Sequence, residues 1–383
     1  MVAAVRSGQS LRSVSRAFGV SLSTVQLWVA RAAADELDGV DLADRSSARH
    51  RPPRIAPELE DLILDLRREL RDVSDLGEYG AAAIRRALDG RLDLPWPVPS
   101  VRTIGRVLDR RGVLDAVRRV RRPAPQPGWY LPDLAGRRCE LDSFDVVDGL
   151  YLLGQPELGI LTASSLHGGL PGAWPAFGMR TGQIVPAIEG HWRAFGLPRY
   201  AQFDNDPRFI GGHARPDSIG QVIRFCLGLG VVPVFAPPHE TGFQAAIESL
   251  NGRWQAKVWP RHRGTSMDVL VEGSDRWVAA VRARSAVRIE AAPARDPYPA
   301  LPVAPWRATR GRIVFLRRTT ETGSVSILGH RLPVDRHWPY RLVRAELDIS
   351  VGQVTFFALR RREPAIQPLL ATSSYAIPDR WAR

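Results

Sequence analysis

Near the start of the chain, apolar residues recur at helical spacing. Leu11, Val14 and Phe18 share one face, Gly19 follows, and Val25, Trp28 and Val29 share the next. This predicts two short helices joined by a tight turn, with Ser21 or Ser23 capping the second. Further on, LEDLILDLRREL predicts a long amphipathic helix, YGAAAIRRAL a second and SVRTIGRVLDRRGVL a third. Ser100 caps that third helix, and its Val101, Ile104, Val107 and Leu108 point inward.

From residue 136 the texture changes to alternating strands and helices. RRCELDSFDVV predicts a strand, LYLLGQPELGILTASSL one or two more, and PGAWPAFG a hairpin partner. IVPAIEGHWRAFG predicts a helix ended by Gly196, and LPRYAQFDND a short strand that ends in acid. A helix (SIGQVIRFCLGLG), a strand (VVPVFAPP) and a closing helix (GFQAAIESLNGRWQAKVW) complete a mixed sheet flanked by helices. After a helix near MDVLVEGSDRWVAAVRA, the proline-rich run 291–306 reads as a linker. The remaining short strands, each bounded by turn residues, predict a small β-barrel.

The expected organisation is multidomain. A helix-turn-helix spans 1–35, a polar linker 33–53, and a second helix-turn-helix or winged-helix-like unit 54–115. An α/β unit with a mixed sheet spans 136–260 and the β-barrel 309–383. Of 383 residues, 53 are Lys or Arg and 40 Asp or Glu, a net charge of +13. Lys257 is the only lysine. Such an excess favours a polyanionic partner. With no apolar signal segment and no run of membrane-spanning length, the expected location is the cytosol, in a bacterial cell associated with the nucleoid, and the expected polyanion is nucleic acid. Cys139 and Cys226 lie far apart without metal-ligand spacing and read as buried thiols.

In a helix-turn-helix the second helix enters the DNA major groove, which would present Ser23, Thr24, Gln26 and Arg31 to bases or phosphates. The outward face of the third helix of the second unit offers Arg102, Arg106 and Arg110. Between the units, AVRRVRRPAPQPGWYL places Arg118, Arg119, Arg121 and Arg122 where they could track phosphates.

The helix around AIESLNGRWQAKVW carries two stripes. Phe243, Ile247, Leu250, Trp254 and Val258 face a core, whereas Gln244, Glu248, Asn251 and Gln255 form a polar stripe at its edge. Asp142 lies in the first strand of the α/β unit and Asp204 at the end of a later one. Three convergent carboxylates make a poor core, because like charges repel and burial is costly. They suit a pair of Mg²⁺ or Mn²⁺ ions acting in phosphoryl transfer.

LDSFD, QFDND and IESLN, in that order and on those elements, resemble the DDE triad of transposases and retroviral integrases. IESLN resembles the start of the integrase catalytic helix, and AFGLPRYAQFDND a strand of bacterial insertion-sequence transposases with an integrase core. The order of modules is similar too, and the resemblance spans nearly the whole chain. It implies an RNase H-like core in which Asp142, Asp204 and Glu248 are catalytic metal ligands for two Mg²⁺ or Mn²⁺ ions. Asn205 and Asn251 would support them. It further implies a transposase that binds double-stranded DNA, both transposon ends and target, as a homo-oligomer and cleaves 3′ ends before strand transfer. An ATP-dependent helper protein is a candidate partner. The alternative is a catalytically inactive, transposase-derived DNA-binding regulator or target selector.

The chain departs from the family pattern at several places. Asp206 stands where glycine is usual, and the gap from Asp204 to Glu248 is long, so Glu240 competes with Glu248 as the third carboxylate. Gln255 replaces a usual basic residue, which leaves Arg253 or Lys257 for that DNA contact. Asp145 and Asp148 are weaker alternatives to Asp142 and read as solvated.

Overall fold

The computed structural model describes residues 1–32, 55–114, 126–212, 216–240, 242–300 and 310–381. The expected linker over 33–53 and Arg118, Arg119, Arg121 and Arg122 lie outside the described residues. The chain divides into two compact units, residues 1–59 and 60–383.

The first unit holds helices α1 (Val2–Arg6), α2 (Leu11–Phe18) and α3 (Leu22–Arg31). The Ser10 and Ser21 hydroxyls cap α2 and α3, accepting from the Ser13 and Thr24 backbone N–H. Gly19 ends α2 at φ 63°, a left-handed conformation that favours glycine and sets up the tight turn. Val14 and Val25 are buried, but Phe18, expected inside, is exposed. Helix α4 (Pro57–Val73) crosses the division.

The second unit continues with α5 (Ala81–Asp89), α6 (Val101–Arg110) and α7 (Pro132–Ala135). Ile84, Leu88, Ile104, Val107 and Leu108 are buried as the spacing predicts, whereas Val101 is exposed. An antiparallel meander follows: β1 (Leu141–Tyr151), β2 (Glu157–Ser165) and β3 (Pro171–Phe177). Then come α8 (Thr181–Phe195), β4 (Tyr200–Phe203), α9 (Pro207–Ile210), α10 (Gln221–Gly228) and β5 (Val232–Phe235). Helices α11 (Ala245–Lys257), α12 (Trp259–His262), α13 (Met267–Arg284) and α14 (Ala286–Glu290) lead to β6 (Arg312–Arg318). The last strands are β7 (Ser324–Ile327), β8 (His330–Pro333), β9 (Leu342–Asp348), β10 (Gln353–Ala358) and β11 (Leu369–Ser374).

Among the described residues, nine strands form one sheet in the order β11-β10-β9-β6-β5-β4-β1-β2-β3, with β7 and β8 pairing separately. Strands β1, β4, β5 and β6 are mutually parallel along this row, and the others run antiparallel to their neighbours. The expected C-terminal barrel is thereby corrected. Val234 and Phe235 of β5 pair with Val314 and Phe315 of β6, so the C-terminal strands extend the core sheet instead of closing on themselves. The strand count and turn spacing of a barrel and of a sheet extension are the same in sequence; only the pairing of β6 tells them apart.

Both faces of the sheet are covered. Phe144, Trp192, Phe203, Phe225, Phe235 and Phe315 share the core on one face. On the other, Ile247, Leu250 and Trp254 of α11 pack with Ile160 and with Trp277 of α13. Cys226 is buried, but Cys139 is only half-buried.

Removing residues 310–383 strips β6 from β5 and opens the edge of a short, fully buried apolar strand. The 60–300 fragment is expected to aggregate, as judged by size-exclusion chromatography. A soluble fragment melting cooperatively at the full-length temperature would contradict a continuous sheet.

Candidate active site

The pleat of β1 sends successive side chains to opposite faces of the sheet. Asp142 and Phe144 therefore point toward α8, and Ser143 and Asp145 toward α11. Asp142 is fully buried, accepts from Trp192 Nε1 at 3.0 Å and pairs with Arg295 at 2.5 Å. His191 Nε2 stands 4.0 Å from the same carboxylate; burial pushes its pKa down to about 4, which keeps the ring neutral. Asp142 is thus the anion of a buried ion pair and does not join Asp204 and Glu248.

The carboxylate that faces them is Asp145. In the parallel pairing of β1 with β4, Asp142 lies beside Ala201 and Ser143 beside Gln202. The same offset sets Asp145 beside Asp204, the first residue after β4. Burial pushes the Asp145 carboxyl up to about 6; the nearby charge of Asp204 adds to the rise, and that of Glu248 adds less. Asp204 is half-buried and is also raised, first by burial, while the Asp206 backbone N–H bonded to it at 3.0 Å pulls it down. Glu248 is exposed on the first turns of α11.

Asn251, one turn after Glu248, is buried and links two strands. Its Nδ2 donates to Asp145 Oδ2 at 2.6 Å, and its Oδ1 accepts from the Thr162 hydroxyl at 2.6 Å. Thr162 lies opposite Asp145 on β2 and also donates to the Asp145 backbone carbonyl at 3.2 Å. The apolar stripe of α11 holds the helix against the sheet, and the polar stripe delivers Asn251 to Asp145. Sequence reading ranked Asp145 below Asp142 and did not single out Thr162. The signal for Asp145 was present in LDSFDVV: Phe144 is the core residue, so the acid next to it faces the other way.

Asn205 lies beside the site but turns from Asp204: its Nδ2 donates to the Ala236 carbonyl at 2.8 Å, and its Oδ1 accepts from Arg317 at 2.8 Å. Asp206 caps α9 and, with Asp148, embraces Arg208, both at 2.6 Å. Glu240 is bound by Arg318 and, at 3.3 Å, by Arg361. Two cations thus already engage the rival third carboxylate.

Among the described residues none of Asp145, Asp204 and Glu248 forms an ion pair. Nor is any group of three or more His, Cys, Asp or Glu side chains among them arranged to hold a metal ion as it stands. The donor chemistry is nevertheless that of a hard cation: oxygens only, with mutual repulsion that a cation would relieve.

The expected DNA-contacting residues divide. Ser23 and Gln26 are exposed, while Thr24 bonds Ser21 at 2.7 Å and Arg31 stacks on Trp28 at 4.7 Å. Arg102 and Arg106 are exposed. Arg110 instead pairs with Glu60, and Lys257 lies over the Tyr79 ring at 4.9 Å, so both are engaged within the protein. Arg253 is exposed on α11, with Nε 3.4 Å from the Ser249 carbonyl. Among the described residues no helix is long and apolar enough to cross a membrane.

Residues 2–69 match the family model described as the leucine-zipper of insertion element IS481. Among solved structures, the catalytic core domain of BIV integrase is 14% identical over 37% of this chain and 82% of that one, with a TM-score of 0.29. The intasome of simian T-cell lymphotropic virus is 14% identical over 72% and 88%, with a TM-score of 0.34. The HTLV-2 integrase catalytic core domain in complex with magnesium is 14% identical over 41% and 88%, with a TM-score of 0.27. No curated protein matches the chain.

Two variants check the division of roles between the acids of β1. Asp142→Asn leaves the Arg295 cation buried without its partner and should cost about 3–5 kcal/mol in denaturant unfolding; unchanged stability would contradict the ion pair. Asp145 behaves in the opposite sense. Its folded pKa lies above the ordinary carboxylate value, so its proton favours the fold at low pH and that contribution is lost as pH rises through about 6. In chelator, Asp145→Asn should raise the melting temperature above about pH 6 and leave it unchanged below about pH 4. A lower melting temperature at the higher pH would contradict the crowding of carboxylates.

Proposed function

We propose that this chain is a DNA transposase of the DDE transposase/integrase superfamily, a reading supported by the match of residues 2–69 to an insertion-element family model, and that its catalytic carboxylates are Asp145, Asp204 and Glu248. It binds the ends of its own element and target DNA, cleaves the 3′ ends and joins them to the target. The observation that carries this reading is geometric: the β1–β4 register sets Asp145 level with Asp204, and Asn251 ties Asp145 to α11, the helix that carries Glu248, in a chain with a net charge of +13. Asp145 takes the place first expected for Asp142, because only Asp145 shares a face with the other two.

The three carboxylates would hold Mg²⁺ or Mn²⁺, which when bound supplies Lewis acidity for in-line displacement at phosphorus. The protein contributes the positioning. The β1–β4 pairing sets Asp145 beside Asp204, and α11 adds Glu248 from the rim. Asn251, tied to Thr162, and the Val146 backbone N–H fix the Asp145 carboxylate, the amide donating to Oδ2 at 2.6 Å and the N–H to Oδ1 at 2.9 Å. Exposed Arg102, Arg106, Ser23 and Gln26 are the DNA contacts in this reading. The N-terminal helices select the ends, and pairing of two ends calls for a homo-oligomer.

Asp145→Asn, Asp204→Asn and Glu248→Gln should each abolish Mg²⁺-dependent cleavage and strand transfer on an end-containing duplex while DNA binding persists. Asn251→Ala should lower the rate roughly 10–100-fold. Full activity of Glu248→Gln sinks the assignment. A wild-type chain that binds the ends but never cuts them would instead support the transposase-derived regulator.

A further inference from the structure

Arg317, on β6, is a buried cation that has no counter-charge among the described residues. Its residue is 8% exposed, and among the described residues no carboxylate pairs with it. Its hydrogen-bond partners are neutral: the carbonyls of Ala236 and Leu316 at 3.3 and 2.9 Å, the Ser326 carbonyl at 3.4 Å, and Asn205 Oδ1 at 2.8 Å. Burial alone pushes its pKa down to about 10. A desolvated guanidinium met only by dipoles and, at 5.1 Å, by the Phe315 ring is costly; four of its five N–H are taken, which leaves one on Nη2 for an oxyanion. Next to it, Arg318 has its charge met by Glu240.

This guanidinium lines a cavity of about 560 Å³. Asn205, Ile210, Ser218, Thr320 and Gly329 form other parts of its wall, so polar residues share the lining with the arginine. The cavity adjoins the carboxylates through one peptide bond, since Asn205 follows Asp204 and is the residue that holds Arg317. A positive group thus stands beside a negative cluster, on a part of the chain far from the N-terminal helices in sequence.

We infer that this cavity receives a DNA backbone phosphate flanking the one that reacts, with Arg317 as its cation. The inference rests on the proposed function and adds a second anchor to it. The carboxylates act on a phosphate through bound cations, and Arg317 holds a neighbouring phosphate directly. A strand held at two successive points cannot slide past the carboxylates, so Arg317 is a positioning residue that sets which bond is presented. Asn205 couples the two points, which gives it a role other than the direct support of Asp204 expected from sequence.

The test uses the full chain and a duplex of arbitrary sequence, with affinity measured across a range of NaCl concentrations. Losing one phosphate contact should lower the slope of log K against log salt by about one. Arg317→Gln should show that drop, and Arg317→Lys should restore most of it by returning the charge. A purely structural arginine would change stability and leave the slope at its wild-type value; that result, in a variant whose circular dichroism is native, overturns the inference. If Arg317→Gln fails to fold, Ser218→Glu places a negative charge in the cavity and leaves the guanidinium intact. It should weaken binding about tenfold, the effect of one charge-assisted contact. Wild-type affinity in Ser218→Glu overturns the inference. The two levels separate cleanly: a wild-type chain with no affinity for DNA refutes the proposed function and this inference together, whereas normal wild-type binding with an unchanged Arg317→Gln slope refutes only this inference.

Discussion

Side chains on one strand alternate between the faces of a sheet, and β1 uses that constraint to keep two acids apart. Asp142 and Asp145 are three residues from each other, so the pleat sends one into each face. Toward α8 there is a sealed aromatic core, in which a carboxylate persists only because Arg295 and Trp192 meet it. Toward α11 the core opens at its rim, and there Asp145 remains without a cation beside a second and a third acid. Ion pairing has used up one carboxylate for stability and left the other available for chemistry.

Around that division the remaining elements have separate tasks. Parallel pairing of β1 and β4 sets the level of Asp145 and Asp204. The buried stripe of Ile247, Leu250 and Trp254 fixes the height and rotation of α11, and so of Glu248 and Asn251. The β5–β6 pairing brings a C-terminal strand alongside, and with it Arg317 reaches Asn205. The sheet extension therefore matters for the site as well as for the fold, since it places a cation next to the acids.

Much of the scaffold was legible in the chain. Helix caps at Ser21 and Ser100 act locally, and the periodicity of α11 is a one-dimensional pattern, so both could be read directly. Glu248 and Asn251 could be assigned to α11, and Asp204 to the end of β4, from the same local patterns. What escaped reading depends on contacts distant in sequence. The alternation in LDSFDVV turns Asp145 away from the Phe144 face, but the cation that holds Asp142 is Arg295, more than 150 positions away, and no local pattern announces that pairing. The barrel expectation failed for the same reason: the strands were identified, but the partner of β6 lies across four helices and a proline-rich run. Arg110 and Lys257 looked like free cations, yet Glu60 and Tyr79 engage them in three dimensions.

The central claim is that the cation site lies on the α11 face of the sheet. Anomalous scattering from crystals of the DNA-bound protein grown with Mn²⁺ tests it most directly. The account predicts Mn²⁺ peaks in contact with Asp145 and Asp204, with Glu248 drawn in, and Asp142 still paired to Arg295. Mn²⁺ coordinated by Asp142 or by Glu240, with Asp145 left outside the coordination sphere, would contradict it.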